Sequence, residues 1–423
     1  MTTRLSRPEV WRKAVKESLL AAVVALCLFG PMVGLKLSGY TVVPMWQNAA
    51  WLVCLVFVGR LVFSVFYHGL DPQWRGRLFS RHQVPVVTGQ ESTLSWRVLL
   101  PLLVLSLVVP FLLSKYWLGV LILALIYVLL GLGLNIVVGL AGLLDLGFVA
   151  FYAVGAYVYA LGAVYLDLSF WLALPLGALT AAAFGALLGF PVLRMHGDYL
   201  AIVTLGFGEI IRLVLNNWTA FTGGPNGISA PFPTLFGLEF KRRAQEGGMT
   251  FHEFFGLDYS SSSRYIFIYL VLFVVVCLLV MFVNRLREMP VGRAWEALRE
   301  DEIACRSLGI NHVTTKLSAF SLGAMTGGIG GVFFAAYQGF INPSSFTFIE
   351  SALILAIVVL GGLGSVMGVI IAALVLTLLP EVLRDMAEYR MLIFGLLMVF
   401  MMIWRPRGLI RIKRPVFSAG HQG

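Results

Sequence analysis

The chain has 423 residues, of which 59% are hydrophobic and only 12% charged, with a mean hydropathy of +0.89 and a formal charge of +10. Soluble domains carry about 25% charged residues, so this chain has too few to cover a water-facing surface, and lipid must cover it instead. Its 31 Lys and Arg lie mostly between apolar runs rather than on one face, which points to membrane topology and not to a nucleic-acid partner.

Arg4, Arg7, Arg12, Lys13 and Lys16 precede an apolar run that lacks a small-residue cleavage site, so that run reads as a retained first transmembrane helix. Further apolar runs follow, and the full set falls at roughly 18–35, 47–67, 98–114, 116–138, 143–164, 170–191, 199–217, 265–284, 315–338, 351–380 and 391–404. The run at 351–380 is broken by Gly361-Gly362-Leu363-Gly364-Ser365 and is long enough for two short helices. The expectation is an all-α polytopic membrane protein with about 11–12 transmembrane or partial helices. With the N-terminus inside, twenty Lys and Arg fall on the inner side and eight on the outer side, which supports an N-in, C-in topology.

Residues 1–97 read as an N-terminal extension with two transmembrane helices, 98–404 as the core and 405–423 as a cytoplasmic tail. Two loops of the core stand out. The outer loop 218–264 carries Thr222-Gly223-Gly224-Pro225-Asn226-Gly227-Ile228, and the inner loop 285–314 carries five basic and five acidic residues. Within that inner loop, Gly292 to Gly309 reads as one short helix with Gly309 as its stop and an apolar stripe interrupted by Asp301. A helix so short and charged needs a partner surface.

Small residues recur at helical spacing in Gly177, Ala181, Gly185 and Gly189, and again in Gly323, Gly327 and Gly331. Ordinary close helix packing accounts for either stripe alone. The segment from Gly131 to Gly147 differs, because Asn135, Gly139, Gly142, Asp145 and Gly147 interrupt apolar sequence. Such a break either lines a pathway or is a plain interhelical turn. Glu209 and Arg212 share a helix face and read as a structural ion pair near the outer interface.

Catalytic signatures are absent. There is no Gly-Lys dipeptide and hence no P-loop, His252-Glu253 has no second His at zinc-protease spacing, and Cys27, Cys54, Cys277 and Cys305 are isolated. No catalytic, metal-binding or cofactor-binding residue is expected, and the chain is not expected to be an enzyme.

At Gly131 to Tyr157, Gly197 to Arg212, Thr222 to Ile228, Gly292 to Gly309, Ile357 to Ser365 and Trp404 to Leu409, the chain resembles the permeases of branched-chain amino acid ABC importers, LivM-type. The resemblance implies an ABC importer permease fold in the bacterial inner membrane, with no cofactor of its own and ATP used by partner subunits. It implies as partners a second homologous permease, two ABC ATPase subunits and a periplasmic amino-acid-binding protein. Glu296, Ala297, Glu300, Glu302, Ala304 and Gly309 would couple to the ATPase from the cytoplasmic loop. Gly223, Gly224, Pro225, Asn226 and Gly227 in the periplasmic loop would lie near the binding-protein dock, and Asn135, Gly139, Gly142, Asp145 and Gly147 near the translocation path. The rival reading is a gradient-driven secondary amino-acid transporter, for which Asp145 is the deep carboxylate the sequence offers.

Overall fold

The structure is a computed structural model. It describes residues 106–192, 198–234 and 262–382 almost continuously, with short stretches elsewhere. Most of the expected spans at 18–35, 47–67 and 391–404, the first half of that at 98–114 and nearly all of the C-terminal tail lie outside the described residues. The chain forms two compact units, Met1–Thr88 and Gly89–Gly423. Within the first, strands β1 (Leu35–Ser38) and β2 (Thr41–Pro44) pair antiparallel, Ser38 opposite Thr41.

The second unit is helical. In chain order it holds α1 (Lys115–Leu134), a π-helical turn (Asn135–Leu140), α2 (Val149–Leu166), α3 (Phe170–Val192), α4 (Asp198–Asn217) and α5 (Ser263–Glu288). Two short helices follow, α6 (Pro290–Glu300) and α7 (Glu302–Ser307). They are succeeded by α8 (His312–Gln338), α9 (Phe348–Gly361) and α10 (Val366–Val382). Among the described residues seven helical segments are long and apolar enough to cross a membrane, and α10 is a shorter apolar helix. The run at 351–380 is therefore two helices, turned by Gly362 (φ +106°) and Gly364 (φ +86°).

Helix α8 is the hub, packed against α1, α2 and α3. Asn311 starts it by accepting hydrogen bonds from the Val313 and Thr314 N–H groups, and Gly339 ends it in the left-handed conformation. Its small residues let three neighbours come close at once. A Cβ at Gly328 would lie 2.5 Å from Ala181 Cβ of α3, and one at Gly327 would lie 3.0 Å from Phe151 Cβ of α2. Gly177 and Gly185 meet Val332 and Ala324 from the α3 side. Both glycine stripes are thus packing surfaces.

The core around α8 is filled by Phe148, Phe151, Tyr159, Phe320 and Phe333, all fully buried. On the outer side, β3 (Ile228–Ser229) pairs antiparallel with β4 (Phe340–Ile341), so the Thr222–Ile228 loop is laid against the turn that follows α8.

Candidate functional site

The loop 285–314 does not form the single helix expected from Gly292 to Gly309. It breaks at Asp301, which is extended (φ −157°) and accepts hydrogen bonds from the Ile303 and Ala304 N–H groups at 2.8 and 3.0 Å. An Asp is a stronger start for a new helix than a continuation of an old one, and this one splits the segment into α6 and α7. Gly309 does terminate α7: it has φ +83°, and the Ile310 N–H reaches back to the Cys305 carbonyl.

Trp295 anchors the pair. It is fully buried, and its indole N–H lies 3.0 Å from both the Thr315 carbonyl and Ser318 Oγ of α8. Glu302, expected to face a partner, is turned inward instead. Its carboxylate accepts from Lys316 Nζ at 2.8 Å and from Arg306 at 2.5 Å, and Lys316 is itself almost wholly buried. Glu300 and Ala304 are exposed, while Ala297 and Glu296 are half-buried, with Glu296 3.8 Å from Arg287. The most exposed apolar groups here are Ile303 (77%) on α7 and Leu308 (80%) at its C-terminal cap.

Burial raises the Glu302 pKa, but hydrogen bonds and charge from Lys316 and Arg306 outweigh it and hold the carboxyl below its ordinary 4.5. A depressed pKa stabilises the fold above the ordinary value, and that stabilisation is lost as pH falls through the lowered one. Protection of the 302–307 amides against hydrogen exchange, corrected for intrinsic rates, is expected to hold between pH 7 and 5. It should collapse only below pH 4.5. Collapse already at pH 6 would place the tether elsewhere.

The broken helix lies directly beside this element. After the π turn, the backbone carbonyls of α1 run out of helical partners. The Arg299 guanidinium of α6 donates to the Gly139 carbonyl, and its side-chain stem packs on Gly142 (φ +72°), where a Cβ would lie 2.6 Å from Arg299 Cγ. A cation at a helix C-terminus is favourable, because the dipole end there is negative. Gly142 is exposed, whereas Asn135, Gly139, Asp145 and Gly147 are buried.

Asn135 braces a second break. Its Oδ1 accepts from the Gly364 N–H at 2.8 Å, which ties the π turn to the α9–α10 turn. A cavity of about 290 Å³ opens between α6 and the broken segment, bounded among others by Gly142, Leu144, Met195, Leu298, Arg299 and Lys316.

Beyond Gly142 the chain runs without helix until α2. Asp145 Oδ1 accepts from the Gly147 N–H at 2.8 Å, the Leu146 N–H donates to Thr204 Oγ1 of α4 at 3.0 Å, and Gly147 packs against the α4 backbone near Thr204 and Gly208. The Val149 N–H donates to Ser351 Oγ of α9 at 2.9 Å. Two backbone N–H groups of this segment are thus satisfied by side chains of α4 and α9.

On the other side, Gly223 (φ +75°) and Gly227 (φ +71°) allow the Gly224–Asn226 turn, with Pro225 and Asn226 exposed and Gly224 buried. A Cβ at Gly227 would press on the Ile341 carbonyl at 2.5 Å. The expected Glu209–Arg212 pair forms, with Arg212 Nε 3.1 and 3.0 Å from the two carboxylate oxygens. The described part of the outer loop pairs with the strand that follows α8, whereas α6 and α7 precede α8, so the two sit at opposite ends of that helix.

Sequence reasoning did not single out Trp295, Arg299, Thr204 or the pairing of Tyr127 with Glu350. For Trp295 a signal existed, a lone aromatic in a charged loop. For Arg299 none did, since five basic residues crowd that loop.

The profile of the branched-chain amino acid transport system permease component matches residues 116–402, and that of a domain of unknown function matches 13–109. The chain is 52% identical over 411 residues to the high-affinity branched-chain amino acid transport system permease protein LivM of Escherichia coli K12, covering 95% of this chain and 96% of the relative. It is 26% identical to the probable LivM of Methanocaldococcus jannaschii over 58% of this chain and 69% of the relative. It is 25% identical to LivH of Salmonella typhimurium over 67% and 91%. No solved structure matches the chain. A helical membrane core, a broken helix braced from within and a charged inner helix pair thus coincide with a match over two thirds of the sequence, and the chain belongs to the branched-chain amino acid transport system permease family, a transport component and not an enzyme.

Proposed function

We infer that this chain is the membrane-spanning subunit of an ATP-driven importer in a bacterial inner membrane. With a second homologous permease it forms the path for branched-chain amino acids delivered by a periplasmic binding protein, and two ABC ATPase subunits act from the cytoplasm. The observation that carries this reading is the Arg299–Gly139 hydrogen bond, by which the inner helix pair grips the broken membrane helix. A gradient-driven carrier has no use for such a lever, and the family is one of permease components.

The lever has three joints. ATPase closure displaces α6 and α7 through the exposed Ile303, Leu308, Glu300 and Ala304 surface. Trp295 keeps α6 on α8, while Arg299 passes the displacement to Gly139. Asn135 then couples the π turn to the α9–α10 turn, so two breaks move together. Gly223, Gly224, Pro225, Asn226 and Gly227 offer the outer partner a rigid, partly exposed loop. Affinity for the amino acid resides in the binding protein, so the path needs polarity rather than a tight site.

The test is purification of the complex from native membranes in mild detergent. Wild type is expected to bring down P-loop ATPases and a second permease. The double variant Ile303→Glu, Leu308→Glu adds two charges to an exposed apolar patch and is expected to lose the ATPases at least about tenfold while keeping the second permease. A wild-type chain that purifies without any ATPase would overturn the reading.

A further inference from the structure

The importer reading leaves the pair of Tyr127 and Glu350 unused. Tyr127 is the thirteenth residue of a 26-residue span, so it lies about 18 Å from either end. Its hydroxyl donates to Glu350 Oε2 at 2.6 Å, across 223 residues of sequence. Both side chains are half-buried, so the carboxylate is not sealed in protein.

A carboxylate facing hydrocarbon at that depth costs about 2.5–3.5 kcal/mol or more, which directs this face to water or to a partner permease and away from lipid. Among the described residues no Lys or Arg pairs with Glu350, unlike Glu209, Glu296 and Glu302. Glu350 lies in the first turn of α9 and accepts from the Tyr127 hydroxyl. It therefore keeps acceptor capacity for a cationic group.

The surroundings suit an amino acid. Helices α2 and α9 both begin at this level, joined by Val149 and Ser351. Broken helices that meet near the membrane midplane are how membrane proteins bring polar backbone to a solute. Behind Glu350, Tyr152 packs tilted on Phe334 and edge-on to Phe346, with ring centres 5.2 Å apart in each pair, so the backing of this position is aromatic. Deeper in the break, Asp145 Oδ2 is fully buried and has no hydrogen-bond partner.

We propose that Glu350 is the residue that receives the substrate's α-ammonium group midway along the path, with Tyr127 orienting its carboxylate. The assignment rests on the importer reading. It explains how a path without tight binding still takes a zwitterion across hydrocarbon depth: one counter-charge, not a full site, meets the ammonium.

The competing role is a structural pin between α1 and α9, and substitutions separate the two. Glu350→Gln keeps an acceptor for the Tyr127 hydroxyl and removes only the charge. Tyr127→Phe removes the pin and keeps the charge. In the whole complex reconstituted in liposomes, Glu350→Gln is expected to lower amino acid taken up per ATP hydrolysed at least about tenfold, the scale of one charge-assisted hydrogen bond. Glu350→Asp should restore part of it, and Tyr127→Phe should cost at most about threefold. Equal losses in Glu350→Gln and Tyr127→Phe, or normal uptake in Glu350→Gln, would overturn the assignment. Glu350→Cys should also react with a hydrophilic thiosulfonate, read by mass spectrometry of the peptide containing residue 350; an unreactive thiol counts against it. Wild-type complex that takes up no branched-chain amino acid refutes the importer itself, whereas wild-type uptake beside a normal Glu350→Gln refutes only this role.

Discussion

Arg299→Met is expected to leave the complex assembled and to stop it from transporting. Methionine keeps much of the apolar stem that lies on Gly142, so α6 stays packed, but nothing then reaches the Gly139 carbonyl. That carbonyl has lost its helical partner at the π turn, and a hydrogen bond from a charged donor is worth about 1.5–3 kcal/mol, a factor of roughly ten to a hundred in coupling. ATPases should co-purify as with wild type, ATP should still be hydrolysed, and uptake per ATP should fall by at least about tenfold. Unchanged uptake per ATP would mean that the inner helix pair acts on the membrane helices through another contact, with Trp295 on α8 the next candidate.

The second large effect falls on the packing that holds this lever in place. Gly155→Val is expected to prevent the folded core from accumulating. At Gly155 a Cβ would overlap the Gly328 carbonyl group, with its carbon 2.6 Å away, so α2 and α8 must separate. Backbone cannot yield as a flexible side-chain tip can, and overpacking of this kind costs about 3 kcal/mol or more. Separation also opens the contacts at Gly331 with Tyr152 and Ala156 on the same face. The control is Gly206→Ala on α4, where a Cβ meets nothing within 4 Å and thermal stability in detergent should not fall. If Gly155→Val is monodisperse with the wild-type melting temperature, the α2–α8 crossing is looser than the structure has it.

Much of the architecture is legible along the chain because it depends on residues near one another in sequence. Long apolar runs define the spans, glycines at four-residue spacing mark where backbones approach, and Gly361 to Ser365 divide one run into α9 and α10. The break after α1 announces itself by Asn135, Gly139, Gly142 and Asp145 in apolar surroundings, and family membership follows from those same motifs. The one local misreading, a single helix over 292–309, came from reading Asp301 as an interruption of an apolar stripe; its side chain instead caps the helix that begins behind it.

What only the tertiary structure decided is who touches whom. Glu302 looks on the page like a surface acid of a charged loop, yet a buried lysine fourteen residues away turns it inward. Arg299 is one of five basic residues until folding sets it 160 residues back in the chain, against a carbonyl that the π turn has freed. Glu350 only precedes an apolar run in the sequence, and folding alone sets Tyr127 beside it. The physical reason is common to all three. Hydropathy and helical period record how each segment meets solvent or lipid, and that is a property of the segment alone. A polar group placed at membrane depth takes its meaning from the partner that satisfies it, and that partner is supplied by the packing of other helices.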